Sequence, residues 1–322
     1  MYHLRRLGNT MSIPIPADED SYTGRECPEP ACKGYFKVQF GTGIKGQDLP
    51  CHCPYCGHTT GHDKFWTEGQ IEYAKSVALS RIVGAINRDL RSMEFQQKSK
   101  GALGIGMSLK FTPGSPIRIH QYREQQLETE AVCSNCTLRY AVYGVFAFCP
   151  DCGQHNSLQI LENNLEVIDK MLDLSASVEP GVAEKLVENA LEDCVSSLDG
   201  FGRELCRTHK DNAVAEGKVE KMTFQNLEGA RTALDTMFSI DLSADLSGDD
   251  WRLATRCFQK RHLIAHKAGV IDQEYIEKTG DENAIKGRKV TLSPEEVREL
   301  LSITKRLARS LFSSILRRNN NS

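Results

Sequence analysis

The 322-residue sequence has no run approaching the roughly 20 apolar residues that a membrane-spanning helix needs. Its opening residues carry charges and prolines where a secretory signal would carry an apolar core. These two absences make the cytoplasm the expected compartment. Residues 1–23 read as a flexible leader, within which Met11 is an alternative start. A strong net charge is missing too. The formal charge is -3, with 17 Lys/Arg against 15 Asp/Glu in residues 1–156 and 23 against 28 in the remainder. No global field points to nucleic acid, so contact with a polyanion must come from local patches. The sequence also lacks a P-loop, a G-x-S-x-G elbow and a paired-carboxylate pattern. What remains is an ordinary globular composition, 40% hydrophobic and 26% charged, long enough for two or three domains.

Cysteine is present in quantity, and nine of the twelve fall in two clusters. Cys27-x4-Cys32 is followed by Cys51-His52-Cys53-Pro54-Tyr55-Cys56-Gly57. Cys133-x2-Cys136 is followed by Cys149-Pro150-Asp151-Cys152-Gly153. A tight Cys-x2-Cys turn presents two thiolates to one ion, and a structural zinc takes four such ligands about 2.3 Å away. Without a secretory signal, metal binding is a better reading than a disulfide framework. Two structural Zn2+ are therefore expected, one on Cys27, Cys32, Cys53 and Cys56, the other on Cys133, Cys136, Cys149 and Cys152. Cys51, His52 and His58 are reserve ligands for the first. Gly41 to Gly46 would form the first ribbon's loop, and Thr137 to Phe148 a hairpin around Gly144. Ribbon residues with a nucleic-acid-gripping chemistry are Lys33, Tyr35, Lys37, Arg139 and Tyr143, although a purely structural role is the plainer expectation. Cys194, Cys206 and Cys257 lie in helical patterns and read as small buried apolar groups.

Periodicity organises the rest. Residues 66–98 read as one long helix with Arg81, Arg88, Arg91 and Lys98 on its charged face, a solvated face unless it meets RNA. Glycine and proline break up residues 101–132, with strands expected at Met107 to Phe111 and Ile117 to Tyr122. From about residue 157 the chain reads as all helix, at 158–175, 181–210, 222–239, 249–268 and 294–317. The last opens on Ser293-Pro294-Glu295-Glu296, a capping box. Its basic tail (Lys305, Arg306, Arg309, Arg317, Arg318) reads as a solvated face. The expected fold class is multidomain α+β. It comprises a leader (1–23), a first zinc ribbon (24–65), a connecting helix (66–100), a β-rich segment with a second ribbon (101–156) and an all-α helical bundle (157–322).

One motif in the bundle carries chemistry, Arg261-His262-Leu263-Ile264-Ala265-His266. On a helical wheel Arg261 falls inside the apolar arc, while His262 and His266 share the opposite face. A cation in an apolar arc must find a partner or snorkel out. The plain reading is an arginine paired with a carboxylate beside two surface histidines. A metallohydrolase is excluded because Leu263 stands where an H-E-x-x-H site needs glutamate. The motif and its setting, near the end of the penultimate long helix, resemble the HEPN ribonucleases over roughly residues 160–318. The resemblance implies a homodimer with two facing motifs. His266 would serve as general base or acid, Arg261 would hold the scissile phosphate, and His262 would orient phosphate or His266. Cleavage of an RNA substrate would need no metal and would leave a 2′,3′-cyclic phosphate. It also implies a toxin-like or anti-phage defence setting, with a regulatory partner protein and no membrane. Ala268 stands where family toxins neutralised by nucleotidylation carry tyrosine, which sets this chain apart from them. The competing expectation is a non-enzymatic zinc-ribbon adaptor whose helical part dimerises and binds nucleic acid or protein.

Overall fold

A computed structural model of the chain describes residues 2–45, 49–97, 107–114 and 116–319. The chain forms two compact units, residues 1–155 and 156–322. It is a mixed helix-and-sheet protein with small antiparallel sheets in the first unit and helices throughout the second. Among the described residues no helix is long and apolar enough to cross a membrane.

The first unit is built on a four-stranded antiparallel sheet in the order β1 (Tyr22–Glu26), β2 (Tyr35–Gln39), β8 (Arg139–Val142), β7 (Thr129–Val132). Strands β3 (Cys51–His52) and β4 (Thr59–Thr60) make a second hairpin, and β5 (Phe95–Gln97) with β6 (Met107–Leu109) a third. The main sheet contains an internal repeat. Glu26, one residue before Cys27, pairs with Tyr35, three after Cys32. Val132, one before Cys133, pairs with Arg139, three after Cys136. The two hairpins then join edge to edge, with Lys37 opposite Ala141. Each of those residues lies five positions beyond its own cysteine, as a pseudo-two-fold relation requires. The two ribbons expected as separate domains therefore share one sheet.

Three local expectations change. The helix read over 66–98 is α2 (Glu68–Arg91), because Thr67 and Gln70 close a capping box at its start and the chain is extended again by Phe95. The hairpin around Gly144 is absent: β8 pairs back with β7, and the turn between them is the Cys133–Cys136 knuckle itself. Ile117 to Tyr122 is not a strand, since this segment lies along α2. There His120 N–H donates to Ser76 Oγ at 2.9 Å and Tyr122 packs on Tyr73 at 5.5 Å between ring centroids. The residues read as a leader include a short helix, α1 (Tyr2–Arg6). Gly46, Lys98, and Gly101 through Gly106 lie outside the described residues.

The second unit packs α3 (Ser157–Ser175), α4 (Pro180–Thr208), α7 (Gly248–Lys267) and α9 (Pro294–Asn319) around one apolar core, with α5 (Glu216–Val219), α6 (Leu227–Phe238) and α8 (Gln273–Thr279) at its flanks. Helices start where a side chain satisfies their free N–H groups. Ser247 and Asp250 form a reciprocal box on α7, and Asn226 caps α6. Residues 222–226, expected to be helical, are held open by Asp199, which accepts from Phe224 N–H and Thr223 Oγ. The expected box on α9 is half made. Ser293 Oγ accepts from Glu296 N–H at 3.2 Å, but the Glu296 carboxylate binds the buried Lys260 ammonium at 2.6 Å. Lys289 to Leu292 contributes an isolated bridge to Val270, with no strand.

Phe224 fills a notch in α4 left by Gly202, where a Cβ would come within 2.6 Å of its ring. Both residues are buried, so the ring has nowhere to retreat. Gly202→Ala should destabilise the helical unit by about 1–3 kcal/mol through overpacking. Urea denaturation followed by helical circular dichroism will measure it, and an unchanged midpoint would contradict this packing.

Candidate metal centres and an arginine–histidine site

Eight cysteines come together in two groups of four, Cys27, Cys32, Cys53, Cys56 and Cys133, Cys136, Cys149, Cys152. Within each group all sulfurs lie within 4.8 Å of one another. The Cys27–Cys56 and Cys32–Cys53 sulfurs are 3.7 Å apart; Cys133–Cys152 and Cys136–Cys149 are 3.7 and 3.5 Å apart. A tetrahedron of sulfurs about 2.3 Å from a zinc ion has edges of about 3.8 Å. A disulfide would bring sulfur to about 2.05 Å, and all twelve cysteines are free. The spacing fits a tetrahedral thiophilic cation, zinc-compatible in size and ligand type.

The knuckles explain how local sequence builds this geometry. Cys53 N–H donates to His58 C=O and Gly57 N–H to Cys53 C=O; Cys149 N–H donates to Gln154 C=O and Gly153 N–H to Cys149 C=O. Gly57 and Gly153 both have φ of +71°. The two knuckles also clasp each other. His52 N–H donates to Pro150 C=O and Phe148 N–H to Pro54 C=O, each at 2.8 Å. A Cβ on Gly57 would meet the Phe148 ring at 3.4 Å, and one on Gly153 the His52 ring at 3.0 Å. Each knuckle glycine thus makes room for the residue that precedes the other knuckle.

Packing four thiols together splits their proton affinities. Hydrogen bonds from Cys149 hold Cys133 well below the usual thiol range, while burial pushes Cys136, Cys27 and Cys53 up. A divalent cation at the centre would let all four ionise. The reserve ligands stand outside. Cys51 is 1% exposed and its thiol is pushed up to about 12 by burial. His52 Nδ1 bonds Thr59 Oγ at 2.9 Å, and His58 faces Glu29 at 3.7 Å. Cys194, Cys206 and Cys257 are fully buried in the helical core.

Of the side chains suggested for a gripping face, Lys33, Arg139 and Tyr143 are exposed. Tyr35 and Lys37 are buried on the sheet's second face, Tyr35 donating to Glu124 at 2.5 Å and Lys37 to Asp18 at 2.7 Å. They were expected to be exposed, and nothing in the sequence revealed that Asp18 and Glu124 would cover them.

In the helical unit, α7 places Arg261, His262 and His266 in its last two turns. Arg261 is the buried member, its side chain 12% exposed. Its Nε and Nη2 each donate to Glu192 of α4 at 2.6 Å, a bidentate pair, and its Nη1 approaches Gln225 Oε1 at 3.5 Å. Gln225 in turn reaches Asp199, and Ser196 donates to Glu192 at 3.3 Å. The His262 and His266 ring centroids lie 5.0 Å apart with the rings tilted by 53°. Burial first, then the neighbouring His266 and Lys267 charges, hold the His262 imidazole below its ordinary range. α7 stops at Ala268 (φ +51°) and Gly269 (φ +75°), whose N–H closes back on Leu263 C=O at 2.9 Å. This stop leaves the His266 side chain exposed in the last helical turn. Glu192, Gln225 and Asp199 were not singled out from sequence, where Glu192 is 69 residues from its arginine. A cleft of about 680 Å³ lies elsewhere, toward the start of α7, lined by Arg252, Arg256 and Arg306.

No family model, no curated protein and no solved structure matches this chain.

Purified protein should carry close to two zinc equivalents per chain by metal analysis. Cys136→Ser should release one of them. It should also raise the reactivity of the first group's thiols toward a maleimide, because the knuckles share hydrogen bonds. Recovery of less than one equivalent from wild type would contradict the assignment.

Proposed function

We propose that the chain is a metal-independent RNA endonuclease of HEPN type in a toxin-like or anti-phage defence role, with the cysteine-rich unit as its recognition module on two structural zinc ions. The observation that carries this reading is the arrangement at the end of α7. A half-buried guanidinium is fixed edge-on by Glu192, and two histidines stand together one and five residues further along the helix.

An arginine held through Nε and Nη2 still presents its Nη1 side, where only the 3.5 Å approach of Gln225 competes. Phosphate binding at that side would need no side-chain search, since Glu192 has already fixed the fork. His266 is exposed and free to accept the 2′-hydroxyl proton or to protonate the leaving 5′-oxygen. His262, whose imidazole burial holds below its ordinary range, suits an orienting hydrogen bond to phosphate or to His266. Arg261 would then balance the charge gathering on the pentacoordinate phosphorus. A single copy shows one such set on an open surface. That openness suits a homodimer in which two motifs face each other across a two-fold axis and enclose the RNA. Such an enzyme would be held in check by a regulatory partner or trigger.

A second reading has its own support. The Arg261–Glu192 pair is complete within one chain, as in a purely structural inter-helix ion pair. It fits a non-enzymatic adaptor that binds nucleic acid or protein.

Cleavage of single-stranded RNA in brief EDTA exposure separates the two. Zinc content measured on the same sample will show that the ribbons stay loaded. His266→Ala should lose at least about 100-fold in rate. Arg261→Lys should lose nearly as much as Arg261→Ala, because an ammonium cannot hold Glu192 and phosphate together. Products should end in 2′,3′-cyclic phosphate, and DNA of the same sequence should be untouched. Equal cleavage by all variants would sink the assignment of these residues.

A further inference from the structure

The first unit carries a surface that the metal centres do not explain. Arg81 and Arg88 lie seven residues apart on α2, two turns along one face, and Arg91 follows within the next turn. All three are exposed. α1 is pinned beside them, because its N–H groups at His3 and Leu4 donate to the buried Asp89 carboxylate at 2.8 and 3.0 Å. A five-residue helix rises only about 7.5 Å, so the exposed Arg5 and Arg6 stay close to the end of α2.

Among the described residues none of these five arginines has a carboxylate partner; Arg81 donates instead to Ser12 C=O at 3.2 Å. The nearby acids are engaged with backbone N–H groups, Asp89 with α1 and Glu94 with Phe111 at 2.8 Å. The helical unit treats arginine differently. There Arg298 sits on Asp169 and Asp173, Arg309 on Glu162 and Arg306 on Asp250. Tyr2, Met93 and Phe95 stand at the margin of the unpaired cluster, 69%, 57% and 47% exposed.

We propose that Arg5 and Arg6 of α1 with Arg81, Arg88 and Arg91 of α2 form a docking surface for the phosphate backbone of single-stranded RNA, with Tyr2 and Phe95 offering rings to unpaired bases. Guanidinium groups suit phosphate oxygens, and unpaired bases stack on exposed rings without sequence preference. The choice of RNA over another polyanion rests on the endonuclease reading; the surface itself does not.

The test uses full-length His266→Ala protein, which leaves the probe intact, and a fluorescein-labelled 20-nucleotide RNA followed by anisotropy from 50 to 200 mM salt. Replacing Arg5, Arg6, Arg88 and Arg91 by glutamine should weaken binding about tenfold or more at 100 mM salt. It should also flatten the log–log salt dependence by about 0.7 for each phosphate that is no longer neutralised. Replacing the paired Arg298 and Arg309 by glutamine should change neither. Unchanged affinity and slope in the four-site variant would overturn the proposal. So would failure of the parent to bind RNA, or binding only to vesicles rich in anionic lipid. Cleavage of a dinucleotide by wild type, too short to reach beyond one site, reports on the Arg261–His266 site alone and separates the two failures.

Discussion

Eight sulfur atoms gathered into two groups, each less than 5 Å across, impose the main constraint on the first unit. Its core contains little else of size: Phe36, Phe65, Leu138, Tyr140 and Val142 are its large apolar members, and cysteines make up much of the remainder. Such a core cannot offset the chain entropy of a unit this long by apolar burial alone. Metal binding would close that gap, because thiolates crowded together gain their stability from the cation between them. The repeat then multiplies the effect. Each knuckle donates a backbone hydrogen bond to the proline of the other, and each knuckle glycine leaves room for the other's flanking ring. Filling one site would therefore shape the other.

What the sequence revealed follows the range of the interactions. A knuckle is local: two cysteines, a proline and a glycine within five residues define its turns, so both cysteine groups were legible, with Cys51 held as a reserve until the fold left it outside the first group. The long helices were legible through apolar periodicity, whereas their starts were not, since the caps at Thr67, Asn226 and Ser247 were not picked out. Long-range pairings were not. Nothing local in Lys37 and Ala141 announces that they face each other and fuse two ribbons into one sheet. Nothing in Ile117 to Tyr122 announces that Ser76 and Tyr73 of α2 will divert it from strand pairing. Wheel geometry showed that Arg261 needed a partner, but not that Glu192 and Gln225 would supply it.

Arg261 and Glu192 illustrate why an ion pair and a functional site are not exclusive alternatives. A guanidinium at 12% exposure is costly unless its donors are satisfied. Glu192 satisfies one edge and, being 40% exposed, keeps its own contact with water. The pair stabilises α4 against α7 and at the same time fixes the fork's orientation. A lone exposed arginine would carry the same charge but would lose rotamer freedom on binding phosphate. The paired histidines extend the candidate site by one helical turn, and the left-handed stop at Ala268 and Gly269 ends α7 just beyond them.

A net charge of -3 hides a division of labour between the units. Where arginines of the helical unit lie against carboxylates, their field is cancelled within a few ångströms and they act as inter-helix ties. Where α1 and α2 leave arginines without carboxylates, the field reaches outward about a Debye length, some 8 Å at physiological salt. A polyanion sensing both surfaces would be drawn to the second even though the whole chain repels it weakly. Recognition and chemistry can then reside in different units. On the proposed reading, the cysteine-rich unit would supply affinity that is insensitive to sequence. The α7 motif would need only to hold one phosphate on its fixed guanidinium.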